Sequence, residues 1–167
     1  IDTNTKHLCS GKIGLGDRLY HCWKNNGHGS MNVSDAIKES CDVFFYEISK
    51  KIGIDKISKV AEDFGLGKIY DVPLPNQKKG IIPSRDWKKK KYDESWYPGE
   101  TLISAIGQGF VLTNPLQLAV MTSIIASNGK NVKPNIIKKN KDIEFEKLSK
   151  YQNAIQIIKS SMFKVVN

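Results

Sequence analysis

The 167-residue sequence lacks a long hydrophobic run, has almost no arginine, and holds only three cysteines and three histidines. Its longest mostly apolar stretch, Leu118 to Ala126, is far short of the roughly 18–20 residues a membrane span needs. No basic segment followed by an apolar one opens the chain, so no signal peptide is read there. Of 26 basic residues, only Arg18 and Arg85 are arginine. Nucleic-acid binders lean on the arginine fork to grip phosphates and guanine edges. The formal charge of +9 is therefore read as a compositional habit, not as a nucleic-acid footprint. Acids such as Asp42, Glu47, Asp55 and Glu62 are interspersed among the lysines, and Lys88 to Lys91 reads as a solvated loop or helix face.

What is present describes a folded chain. Hydrophobic residues make up 40% and charged residues 26%, which excludes a disordered chain, a collagen and a coiled-coil rod. A chain of this length can bury a real core. It opens on Ile1 and not on Met, which is expected of a piece of a longer protein.

Residues 1–31 read as irregular, because Gly11, Gly14, Gly16, Gly27 and Gly29 interrupt any regular period. Helical patterning begins after Asn32, with Ser34 and Asp35 as candidate caps or first-turn acids. A second helix fits Asp42 to Ile52, stopped by Gly53, and a third fits Asp55 to Phe64, stopped by Gly65. Residues 65–112 read as a long central loop holding Pro73, Pro75, Pro83 and Pro98. Thr113-Asn114-Pro115 opens a helix, apolar almost all round and so expected to be buried, that ends at Asn128-Gly129. Short β-compatible pieces such as Asn135-Ile136-Ile137 fall in residues 130–143, and a last amphipathic helix fits Lys150 to Phe163. The expected organisation is an irregular segment 1–31, a helical part 32–129 and a closing part 130–167. The fold class is mainly α, α+β at most.

Every cysteine and histidine lies between Ile1 and Cys41. Cys9, Cys22, His28 and Cys41 are separated by twelve, five and twelve residues. Three thiolates and an imidazole complete a closed tetrahedral zinc site. The spacing matches no common finger, so a disulfide with one thiol left over, or three unconnected thiols, stay open. His7 and His21 sit beside two of the cysteines and are possible substitutes.

From Gly27-His28-Gly29 through Ser40-Cys41-Asp42-Val43-Phe44 the chain resembles the transpeptidase domain of class B penicillin-binding proteins of the elongation type. Cys22-Trp23-Lys24, Ile82-Pro83-Ser84-Arg85-Asp86-Trp87, Trp96-Tyr97-Pro98-Gly99-Glu100-Thr101, Gly107-Gln108-Gly109 and Thr113-Asn114-Pro115-Leu116-Gln117 agree in order. The resemblance implies the helical subdomain of the penicillin-binding serine transpeptidase fold. It implies an acyl-serine chemistry that cross-links stem peptides ending in D-Ala-D-Ala, and that β-lactams intercept. It further implies action at the periplasmic face of the bacterial inner membrane, beside a glycosyltransferase of the elongation machinery.

The family carries three motifs, and here the second stands as Ser40-Cys41-Asp42. The resemblance gives Ser40 and Asp42 catalytic roles, where Ser40 would otherwise read as a helix cap. Trp96 and Tyr97 become candidates for the substrate groove, and Gln108 for its floor; their plain alternatives are a core plug and a buried amide tying loops together. The resemblance also makes zinc the leading reading for Cys9, Cys22, His28 and Cys41, bracing the second motif from behind. The third motif, Lys-Thr-Gly or Lys-Ser-Gly, is not in the sequence, and Ser161-Met162-Phe163-Lys164 has the S-x-x-K letters at the wrong end. An interior portion of a transpeptidase, inactive alone, is thus expected. The rivals are a zinc-stabilised binding module without catalysis and a basic nucleic-acid-binding domain.

Overall fold

A computed structural model describes residues 3–137 and 146–166. Segment 1–31, expected to be irregular, carries four short strands. β1 (His7–Cys9) pairs antiparallel with β4 (Gly29–Met31), with Cys9 opposite Gly29. Between them β2 (Lys12–Leu15) and β3 (Arg18–His21) form a hairpin. These strands are too short to show a period of two, which is why glycine content masked them.

Two glycines let this segment fold on itself. A Cβ on Gly11 would lie 2.0 Å from the Asn25 carbonyl oxygen, and one on Gly27 would lie 2.1 Å from that of Cys9. Both have positive φ. The crossing brings the strand that ends at Cys9 against the loop that holds Cys22 and His28.

The remainder is helical. α1 (Val33–Lys38) is capped by Asn32, whose side chain accepts from the Asp35 N–H; neither Ser34 nor Asp35 is the cap, and Asp35 is the acid of the first turn. α2 (Asp42–Ile52) and α3 (Ile54–Asp63) follow, joined at Gly53. The expected loop 65–112 holds two helices. α4 (Arg85–Tyr92) starts at Ser84, whose hydroxyl accepts from the Trp87 N–H, and α5 (Pro98–Ala105) has proline at its first position. At eight residues each they are too short for sequence periodicity to separate from a loop.

α6 (Pro115–Ala126) lies where expected but is not buried all round. Gln117, Val120 and Ile124 face inward, while Leu118, Ala119 and Thr122 are exposed. A single 3₁₀ turn, Ser149–Tyr151, leads into α7 (Gln152–Val166). Lys130 and Lys147 form an isolated antiparallel bridge, whereas Asn135, Ile136 and Ile137 form no strand. Positions 138–143 of the expected β region lie outside the described residues.

Two apolar cores result. The first gathers the three cysteines with Met31, Ala36, Val43, Phe44 and Leu102. The second joins Phe64, Val120, Ile124 and Ile155. Lys88 also departs from expectation. Its side chain is only 2% exposed, and its ammonium lies 2.5 Å from a Glu100 carboxylate oxygen and 4.2 Å from the centre of the Tyr97 ring. Buried charges persist only when paired, and here the pair ties α4 to the start of α5. Lys89 to Lys91 are exposed, as the charge run suggested.

Candidate active site and metal centre

The four sulfur and nitrogen ligands named from the sequence converge. Cys9 ends β1, Cys22 follows β3, His28 precedes β4, and Cys41 is the residue before α2. One ligand atom from each lies within 4.8 Å of all the others. The Nδ1 of His28 sits 3.6 Å from the Cys9 sulfur and 3.5 Å from the Cys22 sulfur. All three cysteines are buried free thiols, so no disulfide joins them. His7 and His21 stay outside the group: His7 sets its ring edge-on against Phe44 and His21 is exposed.

The electrostatics of the cluster follow first from burial, and then from hydrogen bonds and the neighbouring sulfurs. For Cys9, burial opposes ionisation. Hydrogen bonds from His28, from the backbone of Gly11 and His28, and from Cys41 outweigh it and bring the thiol down to about 7. Cys41 is pushed up to about 12, first by burial and then by the sulfurs of Cys9 and Cys22, against one favourable backbone contact from Phe44. One thiol ionises readily and another resists, which is the imbalance a cation at the centre would remove.

Ser40 is the most unusual backbone position next to this cluster. Its φ is +51°, and among the described residues the other non-glycine positive-φ positions are Asn76, Asp93 and Asn128, types that tolerate this region. The reason is the end of α1. The Cys41 N–H donates to Ala36 at 2.9 Å and the Ser40 N–H to Ile37 at 3.4 Å, the pair of bonds of a Schellman ending. Ser40 occupies the left-handed position where glycine is the common choice. It therefore closes α1 and does not cap α2, whose preceding residue is Cys41. Its side chain is exposed.

Asp42 opens α2, and one carboxylate oxygen accepts the Trp23 backbone N–H at 3.0 Å. The Trp23 indole N–H donates to the Glu39 carbonyl at 2.9 Å, and its ring meets His28 edge-on at 5.2 Å. Sequence reading quoted Trp23 only for its resemblance and assigned it nothing.

The three candidate groove residues separate. Trp96 is half-buried, with its indole N–H on the Thr101 hydroxyl at 2.8 Å. Tyr97 is exposed and covers Lys88. Gln108 is exposed, so it is not the buried amide that ties loops. That part belongs to Gln117, which the sequence reading passed over. Its carbonyl oxygen accepts from the Gly67 N–H and the Thr113 hydroxyl, and its amide donates to the carbonyls of Lys68 and Lys79.

The S-x-x-K letters occur twice in the chain. Ser161 is buried in α7; its hydroxyl donates to the Ile157 carbonyl and lies 3.0 Å from the Ser34 hydroxyl, from which it can accept. Ser127-Asn128-Gly129-Lys130, also passed over, ends α6, and its serine bonds Ile124. Both serines are engaged with the helix they sit on.

Comparison with known proteins decides the family. The model of the penicillin-binding protein transpeptidase domain matches residues 1–167. The chain belongs to this family. The peptidoglycan D,D-transpeptidase MrdA of Salmonella typhimurium is 38% identical over 120 residues, which is 72% of this chain and 19% of that protein. The chain spans about a fifth of the length of the curated relatives it matches. The penicillin-binding protein PBP2 of Helicobacter pylori, solved in complex with MreC, superposes with a TM-score of 0.93 at 37% identity, over 100% of this chain and 32% of that one. A peptidoglycan synthase complex that coordinates polymerisation and crosslinking contains a chain that superposes with a TM-score of 0.88 at 30% identity, over 99% of this chain and 29% of that one. The transpeptidase domain is thus of the PBP2 type, and neither rival reading gains support from these matches.

Proposed function

We propose that this chain forms the part of a peptidoglycan D,D-transpeptidase that presents the second catalytic motif. The observation that carries the reading is the conformation of Ser40: an exposed serine in a left-handed turn, between a helix end and a buried thiol, inside a transpeptidase family match. Strain of this kind persists where surrounding structure holds it, and it concentrates at functional sites. In this reading the Ser40 hydroxyl relays a proton to or from the amine resolving the acyl-enzyme. Asp42 keeps one carboxylate oxygen for substrate or lysine while the other holds Trp23. The nucleophile and the third motif are contributed by other parts of the enzyme, and the segment described here does not acylate by itself.

Tyr97 and Gln108, both exposed, are proposed to line the stem-peptide groove. Trp96 supports Tyr97 from within through Thr101. The substrate is a stem peptide ending in D-Ala-D-Ala, and β-lactams take its place. The parent enzyme works on the periplasmic side of the inner membrane. The relatives solved with MreC and in a peptidoglycan synthase complex support protein partners, which in this reading are elongation proteins and a glycosyltransferase.

Zinc is proposed for Cys9, Cys22, His28 and Cys41. Zinc–sulfur bonds of about 2.3 Å put tetrahedral sulfurs about 3.8 Å apart, so a separation of 4.8 Å or less closes with small side-chain movement. The Nδ1 of His28, which faces the Cys9 and Cys22 sulfurs, is the nitrogen placed to ligate. Four protein ligands leave no position for substrate, so zinc here holds the turn in place.

Fluorescent penicillin labelling tests the activity. The natural-length protein should label and its Ser40→Ala variant should label far more slowly. Labelling of the 167-residue chain by itself would overturn the assignment of roles. Stoichiometric zinc by elemental analysis, lost in Cys41→Ala, tests the metal.

A further inference from the structure

We propose that Trp23 is a positioning residue for Ser40, and this rests on the transpeptidase reading above. Ser40 holds a backbone conformation that L-residues other than Asn and Asp seldom adopt, and glycine in its place would relieve it. Something must hold the turn against relaxation. The Schellman bonds hold it from α1, but one of them is long at 3.4 Å.

Trp23 supplies the rest from outside the helix. It reaches both neighbours of the Ser40–Cys41 pair. The indole N–H fixes the Glu39 carbonyl, the last peptide group before Ser40, and the backbone N–H fixes the Asp42 carboxylate, just beyond Cys41. A single residue brackets the turn at both ends. Its ring rests edge-on against His28, so the bracket is anchored on a ligand of the sulfur cluster. Trp23 is nevertheless 62% exposed. Its hydrophobic burial is therefore incomplete, and its two directed hydrogen bonds are what it contributes.

The same arrangement explains how the cluster acts on the motif without touching substrate. Cys41 pulls on the turn from the cluster side, and Trp23 carries the position of His28 to Glu39 and Asp42. Ser40 lies between these two supports. Freed from the bracket, the turn would exchange between the left-handed form and ordinary helical ends, and the hydroxyl would leave its place part of the time.

Peptide-resolved hydrogen exchange on the natural-length protein tests this. Trp23→Phe keeps an aromatic ring against His28 and removes the indole donor. Replacement of Trp23 by benzothienylalanine removes the same donor at nearly unchanged ring size, and covers the case where phenylalanine disturbs folding. Either should speed exchange of the Ser40 and Cys41 amides roughly fivefold, the loss of one exposed hydrogen bond. Amides of α7 and zinc content should be unchanged. In a Ser40→Gly background the same replacement should change exchange less than twofold, because glycine needs no bracket. Equal acceleration in both backgrounds, or none, overturns the proposal. Penicillin acylation supplies the second readout: Trp23→Phe should lower the acylation rate constant roughly fivefold at unchanged apparent affinity. An unchanged rate constant also overturns it. Failure of the unsubstituted enzyme to label would instead sink the transpeptidase reading, leaving the exchange result to judge the bracket.

Discussion

Around Cys9, Cys22, His28 and Cys41 the chain crosses itself at two glycines and packs around sulfur. Around Phe64, Ile124 and Ile155 it packs hydrocarbon and ties its loops with the amide of Gln117. The first region gathers groups that repel one another when ionised, so under the zinc proposal its stability depends on the metal. Among the described residues, the second ties its polar groups to one another. The region that carries Ser40 is thus the conditional one, and that suits a site whose turn must be held in a costly conformation.

Metal removal should break this contrast most visibly. A ligand that binds only the folded state adds about 4 kcal/mol when its free concentration is 1,000 times Kd. Chelation should therefore lower the melting temperature of the unsubstituted protein strongly and leave that of Cys41→Ala unchanged. Equal responses would remove the distinction between the regions.

Gln117→Leu attacks the other region. It strands the Gly67 N–H and the Lys68 and Lys79 carbonyls near a buried site. The expected loss is about 3 kcal/mol by urea unfolding, with zinc content intact. A loss below about 1 kcal/mol would show that water replaces the amide.

Acid should act on the second region through Asp63. Its carboxyl is held well below the usual carboxylate range, first by the Lys150 ammonium and then by the Tyr151 hydroxyl, against a small cost of burial. A depressed folded-state pKa gives stability that is fully present above the ordinary value near 4 and is lost as pH falls below it. The stability of the unsubstituted protein should decline below about pH 4 more steeply than that of Asp63→Asn. Parallel curves would count against the contact.

The smallest effect belongs to the exposed pair Lys89–Asp93 at the end of α4. Lys89→Ala should change stability by less than about 0.5 kcal/mol by the same urea titration. Lys88→Ala in the same run should cost far more, because it leaves Glu100 beside an emptied buried position.

Much of this was legible beforehand. The four candidate ligands in one stretch, the helix start at Asn114-Pro115 and the stops at Gly53 and Gly65 follow from local chemistry, and local chemistry is written in consecutive residues. Short elements were not legible. β1 to β4 span three or four residues each, and α4 and α5 eight. None is long enough to show its period, and each is held by contacts made elsewhere in the chain. Lys88 looked identical to Lys89, Lys90 and Lys91, since nothing near it shows that Glu100 will approach. Gln108 drew notice for its flanking glycines, while Gln117, inside an apolar helix, bound loops some forty to fifty positions away.

The family, the candidate donors and the stretch Ser40-Cys41-Asp42 are readable in the sequence, because these are identities in order. Only the tertiary structure decided that the four donors meet, that Ser40 closes α1 in a left-handed turn and that Trp23 spans it. Those outcomes depend on the backbone crossing at Gly11 and Gly27 and on hydrogen bonds between residues sixteen to nineteen positions apart, and no local pattern encodes distances of that kind.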